Sequence, residues 1–197
     1  MYLLRSGCAL VLFVGFAVVG RTQDQKTFAP PTDDEINLVL TQADRAVQRY
    51  KVLVDQEEIQ MGKDYAQAVA RDRQVVNAME IALKALKAHP QGFNGLGGFA
   101  VILWLDDADR NALLCASGAF SQATINMMAG DKDKANNLIH LAQTCLDASS
   151  LLYTVSENVT SLYQRYVEAE QQLAEQAVET AQKCMDVLKK KGVTPKK

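Results

Sequence analysis

Residues 131–191 read DKDKANNLIHLAQTCLDASSLLYTVSENVTSLYQRYVEAEQQLAEQAVETAQKCMDVLKKK, and this stretch decides the fold. It holds neither proline nor glycine, and its many Ala, Leu, Gln, Glu and Lys residues favour helix. Stepping by seven from Leu138 meets Cys145, Leu152, Val159, Tyr166, Leu173, Thr180 and Val187. An apolar column that keeps its phase in this way marks an amphipathic helix. Thr154 and Glu157 match a capping box, so a break over Thr154–Asn158 is one reading. Compactness favours breaks both there and at Gly62. An unbroken helix of this size would run about 85 Å, far beyond the cover of a partner of roughly 30 residues.

Upstream, Gly130 to Asp133 form a turn, with Asp131 or Asp133 as the N-cap of this region. Phe99–Leu105 is an unbroken apolar run. A single strand would have no partner in this chain, so the run reads as the buried start of a third helix reaching Ala129. Before it, Pro90 and the glycines at 92, 95, 97 and 98 spell a connecting loop. That loop lacks the Gly-Lys-Ser/Thr ending of a phosphate-binding loop, and no strand precedes it.

Residues 33–88 carry a second column: Leu40, Val47, Val54, Met61, Ala68, Val75 and Ala82. Thr32 or Asp33 caps its start, with Asp34 and Glu35 in the first turn. The phase holds across Gly62. One long helix and two helices hinged at Gly62 both fit, and Asp64 with Gln67 could cap the second. The pattern predicts an all-α fold, an antiparallel helical bundle of four to five helices. The alternative is a long helical hairpin with a shorter third helix.

The amino terminus is different in kind. Arg5 precedes the apolar run Cys8–Val19, Gly20 closes it, and polar residues follow. This predicts a secretory signal peptide over 1–20 and a flexible linker over 21–32. The bundle domain then covers 33–191, and 192–197 form a basic tail. The protein is expected to be exported, periplasmic or extracellular. The alternative is a membrane anchor over residues 3–20, although a spanning helix needs roughly 20 apolar residues. Removing residues 1–20 takes away one arginine and no acid, so 20 basic residues face 23 acidic ones, a net charge of −3. That balance exerts no general pull on nucleic acid. Membrane contact is expected only through an uncleaved N-terminal segment.

Few catalytic parts are present. His89 and His140 are the whole histidine supply. A haem between His140 and Met127 or Met128 lacks a Cys-x-x-Cys-His attachment site. No Glu-x-x-His pair supports a di-metal centre, and no close Cys or His pair supports zinc. Asp107, Asp109 and Asn111 start like a calcium loop, but Ala112 and Gly118 stand where the loop needs Gly and Glu. Asp131 and Asp133 start similarly and fail at Ala135. No Gly-x-Ser-x-Gly occurs. Asn158-Val159-Thr160 is a glycosylation sequon in a helical setting. Lys189, Lys190 and Lys191 suit a helix C-terminus. The expectation is an exported, non-enzymatic protein without cofactor, acting through contacts with a protein partner. The alternative is a carrier of an apolar small molecule held near Phe99–Leu105 and Trp104.

Three cysteines follow residue 20: Cys115, Cys145 and Cys184. Outside the cytosol thiols tend to oxidise. Gly130 lies midway between Cys115 and Cys145, so an antiparallel hairpin turning there sets the two at one height. Ala108, Ala112, Gly118, Ala119 and Ala123 on one side, and Ala135, Ala142, Ala148 and Ser149 on the other, allow the close approach a disulfide requires. The sequence therefore predicts a Cys115–Cys145 disulfide, leaving Cys184 free or joined to another chain.

Overall fold

The computed structural model describes residues 29–190. The predicted signal peptide, most of the linker and the basic tail lie outside the described residues. Four α-helices follow one another: α1 (Asp33–Met61), α2 (Ala66–Ala88), α3 (Leu96–Met128) and α4 (Lys132–Lys190). Short 3-10 turns, Lys63–Tyr65 and Pro90–Asn94, join the first three. No strand occurs among the described residues. The fold is an all-α bundle, as the columns predict.

The capping box at Thr32 starts α1. The Glu35 N–H donates to Thr32 Oγ1 at 3.3 Å, and the Thr32 N–H donates to Glu35 Oε2 at 2.9 Å. Arg165 of α4 grips the same carboxylate at 2.8 and 3.2 Å. These donors, Arg165 first, hold the Glu35 carboxyl down to about 2. The fork ties the first turn of α1 to α4, and Asn158 Nδ2 donating to Gln42 Oε1 shows that the two helices run antiparallel.

Gly62 settles the choice between one helix and two. Its φ of 71° lies in the left-handed region that glycine enters at little cost, and α1 stops there. The turn after it sends α2 back along α1. Lys51 and Gln48 donate to Glu80, and Lys87 donates to Asp44. The expected cap by Asp64 and Gln67 does not form, since α2 starts from Tyr65 without a side-chain cap.

Along α3 the structure departs from the sequence expectation at the loop and in the apolar run after it. The glycine-rich loop is shorter than it reads, because α3 starts at Leu96 and takes in Gly97 and Gly98. A Cβ on Gly98 would stand 2.5 Å from the Phe93 carbonyl oxygen and 2.9 Å from Tyr163 Cδ2. Bare backbone at this position lets α3 start directly over the preceding turn. Gly98→Ala is therefore expected to destabilise the protein by about 1–3 kcal/mol through overpacking. Chemical denaturation checks this, and an unchanged midpoint would refute it. Phe99–Leu105, expected to be buried, is only partly so. Val101 and Leu105 are buried, but Phe99 and Leu103 are about half exposed. A helix carries successive residues round its axis, so a continuous apolar run cannot all face one core.

Gly130, at φ 83°, turns the chain from α3 into α4. Asp131 Oδ1 accepts from the Lys134 N–H at 3.1 Å and caps α4. A seam of small buried residues lines the hairpin: Ala108, Ala112, Ala116 and Ala119 on α3 face Ala135, Ala142 and Ala148 on α4. Beyond the seam α4 does not break. Thr154 Oγ1 donates back to the Ser150 carbonyl at 2.8 Å instead of capping a new helix. Val155, Ser156 and Val159 are buried there, and the Ser156 hydroxyl donates to Asp106 at 2.6 Å. Tertiary packing outweighs the local capping signal. Helix α4 is thus 59 residues long, about 88 Å.

Candidate functional site

Two features stand out from an otherwise ordinary helical core. The first is a polar knot inside it. Tyr50 and Glu57 on α1, Asp72 on α2, Asn111 and Cys115 on α3 and Cys145 on α4 are all buried. Glu57 and Asp72 are each only 2% exposed. Their positions follow from helical spacing. Tyr50, Val54, Glu57 and Met61 share the inward face of α1, and Val69, Asp72, Val76 and Met79 share that of α2. The 3–4 spacing that found Val54 also reaches Glu57, so this acid was legible as an intruder in an apolar column. Asp72 was legible in the same way.

Burial governs the chemistry. Loss of water raises Glu57 to about 7, and the charge of Asp72 beside it adds to the effect. Burial also raises Asp72. Both carboxyls are thus raised together, and the pair titrates as one unit. The Tyr50 hydroxyl lies between Asp72 and Asn111 but completes a hydrogen bond to neither, and Asp72 Oδ1 is likewise unpaired. Arg71 Nε approaches that oxygen at 3.8 Å.

The thiols lie at the edge of this knot. The Cys145 thiol donates to Cys115 Sγ at 2.7 Å, and both cysteines are free thiols in this structure. The predicted partners therefore meet at one height in the hairpin. Two cross-links of similar register follow farther from the turn: the Ser149 hydroxyl bonds Asp109, and Ser156 bonds Asp106. The bond to Cys145, burial and the nearby carboxylates all push the Cys115 thiol up. A thiol so held is a poor nucleophile.

Other sequence candidates are dispersed. His89 and His140 are exposed, as are Met127 and Met128. Asp107 faces Arg110, whereas Asp109 accepts from Ser149 and Asn111 points inward. Among the described residues no group of three or more His, Cys, Asp or Glu is placed to hold a metal ion. No described helix is long and apolar enough to cross a membrane. Trp104 lines a hollow of about 350 Å³ together with Arg71, Asp107, Arg110 and Asn111.

The second feature is the distal part of α4. Ala169 is its last buried residue, and every residue from Leu173 to Lys190 is exposed. This arm extends about 27 Å. It is not uniformly polar. Ala174, Val178, Ala181, Met185 and Leu188 recur at alternating steps of four and three, the spacing of a coiled-coil seam. Val178 is 70% exposed. The chain matches no known family model, no curated protein and no solved structure.

Proposed function

We propose that this is an exported, non-enzymatic helical protein that acts through contacts with a protein partner, and that the arm of α4 is its contact element. The exposed 4–3 apolar seam on Ala174–Leu188 carries this reading. Soluble proteins rarely leave contiguous apolar surface uncovered unless something binds there. Export rests on the Arg5, apolar run and Gly20 pattern. In an oxidising compartment, Cys115 and Cys145 close to a disulfide. Each thiol gives up its proton, and the pair passes two electrons to a small-molecule disulfide. Closure belongs to the folding stage, because packing seals both sulfurs.

The carrier reading has less support. The hollow beside Trp104 has Val75 and Leu114 in its wall as well as Arg71, Asp107 and Arg110, and it lies half open to solvent, whereas a carrier encloses its cargo.

Affinity capture from envelope and extracellular fractions tests the contact reading. The full chain is expected to retain one saturable partner, and a chain ending at Ala169 is expected to lose it. Equal retention by both would overturn the assignment to the arm.

A further inference from the structure

We infer that the arm of α4 pairs with the arm of a second copy of this chain, and that the two run antiparallel. The inference rests on the reading of the arm as a contact element and names the occupant of its seam. The order of side chains and charges along the arm argues for it.

Side-chain size comes first. In coiled-coil terms the seam places Gln171, Val178 and Met185 at a-type positions and Ala174, Ala181 and Leu188 at d-type positions. A parallel pair stacks like on like. Its layers would include Ala174 on Ala174 and Ala181 on Ala181, which are too small to fill the gap between helices about 8–10 Å apart. An antiparallel pair sets a-type against d-type positions. Ala174 then faces Met185 of the partner subunit, and Val178 faces Ala181 of the partner subunit. Most layers therefore join a large side chain to a small one, the arrangement that packs without voids.

Charge points the same way. The flanks of the seam carry Glu168, Glu170 and Glu175 near the body and Lys189 near the tip. Parallel pairing brings Glu170 against Glu175 of the partner subunit, a repulsion. Antiparallel pairing in this register sets Glu175 against Gln182 of the partner subunit and Glu168 against Lys189 of the partner subunit, and two-fold symmetry repeats both contacts. The ends agree with this. The arm leaves the body where Asp33 and Asp34 open α1 beside Arg165, with Glu168 and Glu170 following on α4. Its tip carries Lys189 and Lys190. Antiparallel arms bring each basic tip to the other copy's acidic root, whereas parallel arms stack root on root and tip on tip. Cys184 then faces Ala177 of the partner subunit, so no disulfide joins two Cys184 residues.

Sedimentation equilibrium of the full chain, with residues 1–20 removed as in the exported form, tests the pairing. A concentration-dependent dimer is expected in the micromolar range, weakened about tenfold on going from about 50 mM to about 500 mM salt. Val178→Glu with Met185→Glu should give a monomer whose helical circular dichroism is unchanged, since both residues are exposed. Orientation is read by disulfide cross-linking in a Cys184→Ser background. Ala174→Cys mixed with Met185→Cys should yield a heterodimer, and neither variant alone should cross-link well. A monomer at all concentrations, or cross-linking of Ala174→Cys to itself, overturns the proposal, as does a dominant Cys184–Cys184 link in the native chain. The two readings fail separately. A monomeric chain whose captured partner still requires the arm sinks self-pairing alone. A dimer whose capture of another protein survives truncation leaves self-pairing standing and removes only the foreign partner from the arm.

Discussion

Glu57→Gln is expected to make the protein more stable above neutral pH and to flatten its pH dependence. In the folded protein, burial and the Asp72 charge raise Glu57 from the usual 4.5 to about 7. A carboxyl raised by folding binds its proton more tightly in the native state than in the unfolded one. Its contribution is therefore complete below about pH 4.5 and is lost as pH rises through 7. The loss amounts to roughly 3 kcal/mol once the native carboxyl is ionised. For a domain of this size that corresponds to a fall in Tm of about 6–12 °C between pH 5 and pH 8. Asp72, raised in the same direction, adds to the trend, and Arg71, Tyr50 and Cys115 complete the set of groups facing the pair. Glutamine keeps the shape and the donor but has no proton to lose. Melting curves of both proteins across that window measure the effect. Parallel curves would show that Glu57 does not carry the proton.

The second large effect concerns the thiols. Protein folded under oxidising conditions is expected to contain a Cys115–Cys145 disulfide and to be about 3–4 kcal/mol more stable than the reduced form, from the chain entropy of a loop spanning 30 residues. A non-reducing peptide map should show these two cysteines joined and Cys184 alkylated. The double substitution Cys115→Ala with Cys145→Ala should abolish the difference between oxidising and reducing conditions. Joining of Cys115 to Cys184, or alkylation of all three, would refute the pairing.

Helical identity and the α3–α4 hairpin are legible in the sequence, because both rest on local rules. The heptad columns need only a helix period. The hairpin register needs only Gly130 midway between two cysteines and small residues on both sides. Continuity was harder. Gly62 and the Thr154–Glu157 box looked alike as possible breaks, yet only Gly62 ends a helix. A left-handed glycine changes the backbone path itself, whereas a capping box competes with tertiary packing, and buried Val155 and Val159 decided that competition. The arm illustrates the opposite limit. Leu173 and Val187 lie in the same column as Leu152 and Val159, so periodicity alone could not tell a covered stretch from an uncovered one. The buried acids were visible as misfits but not as a pair, since Glu57 and Asp72 meet only after α2 folds back at Gly62.

The continuity of α4 also determines how the arm keeps its shape. A free peptide of the arm's length would be mostly unwound in water, because starting a helix fixes several residues for one hydrogen bond. Here the nucleus already exists in the buried turns before Ala169, and the arm adds to it one residue at a time. Its order is therefore graded, firm at the root and fraying toward Lys190. A protease would meet the tip first and find the root resistant, and a second helix laid along the seam would protect the whole length at once.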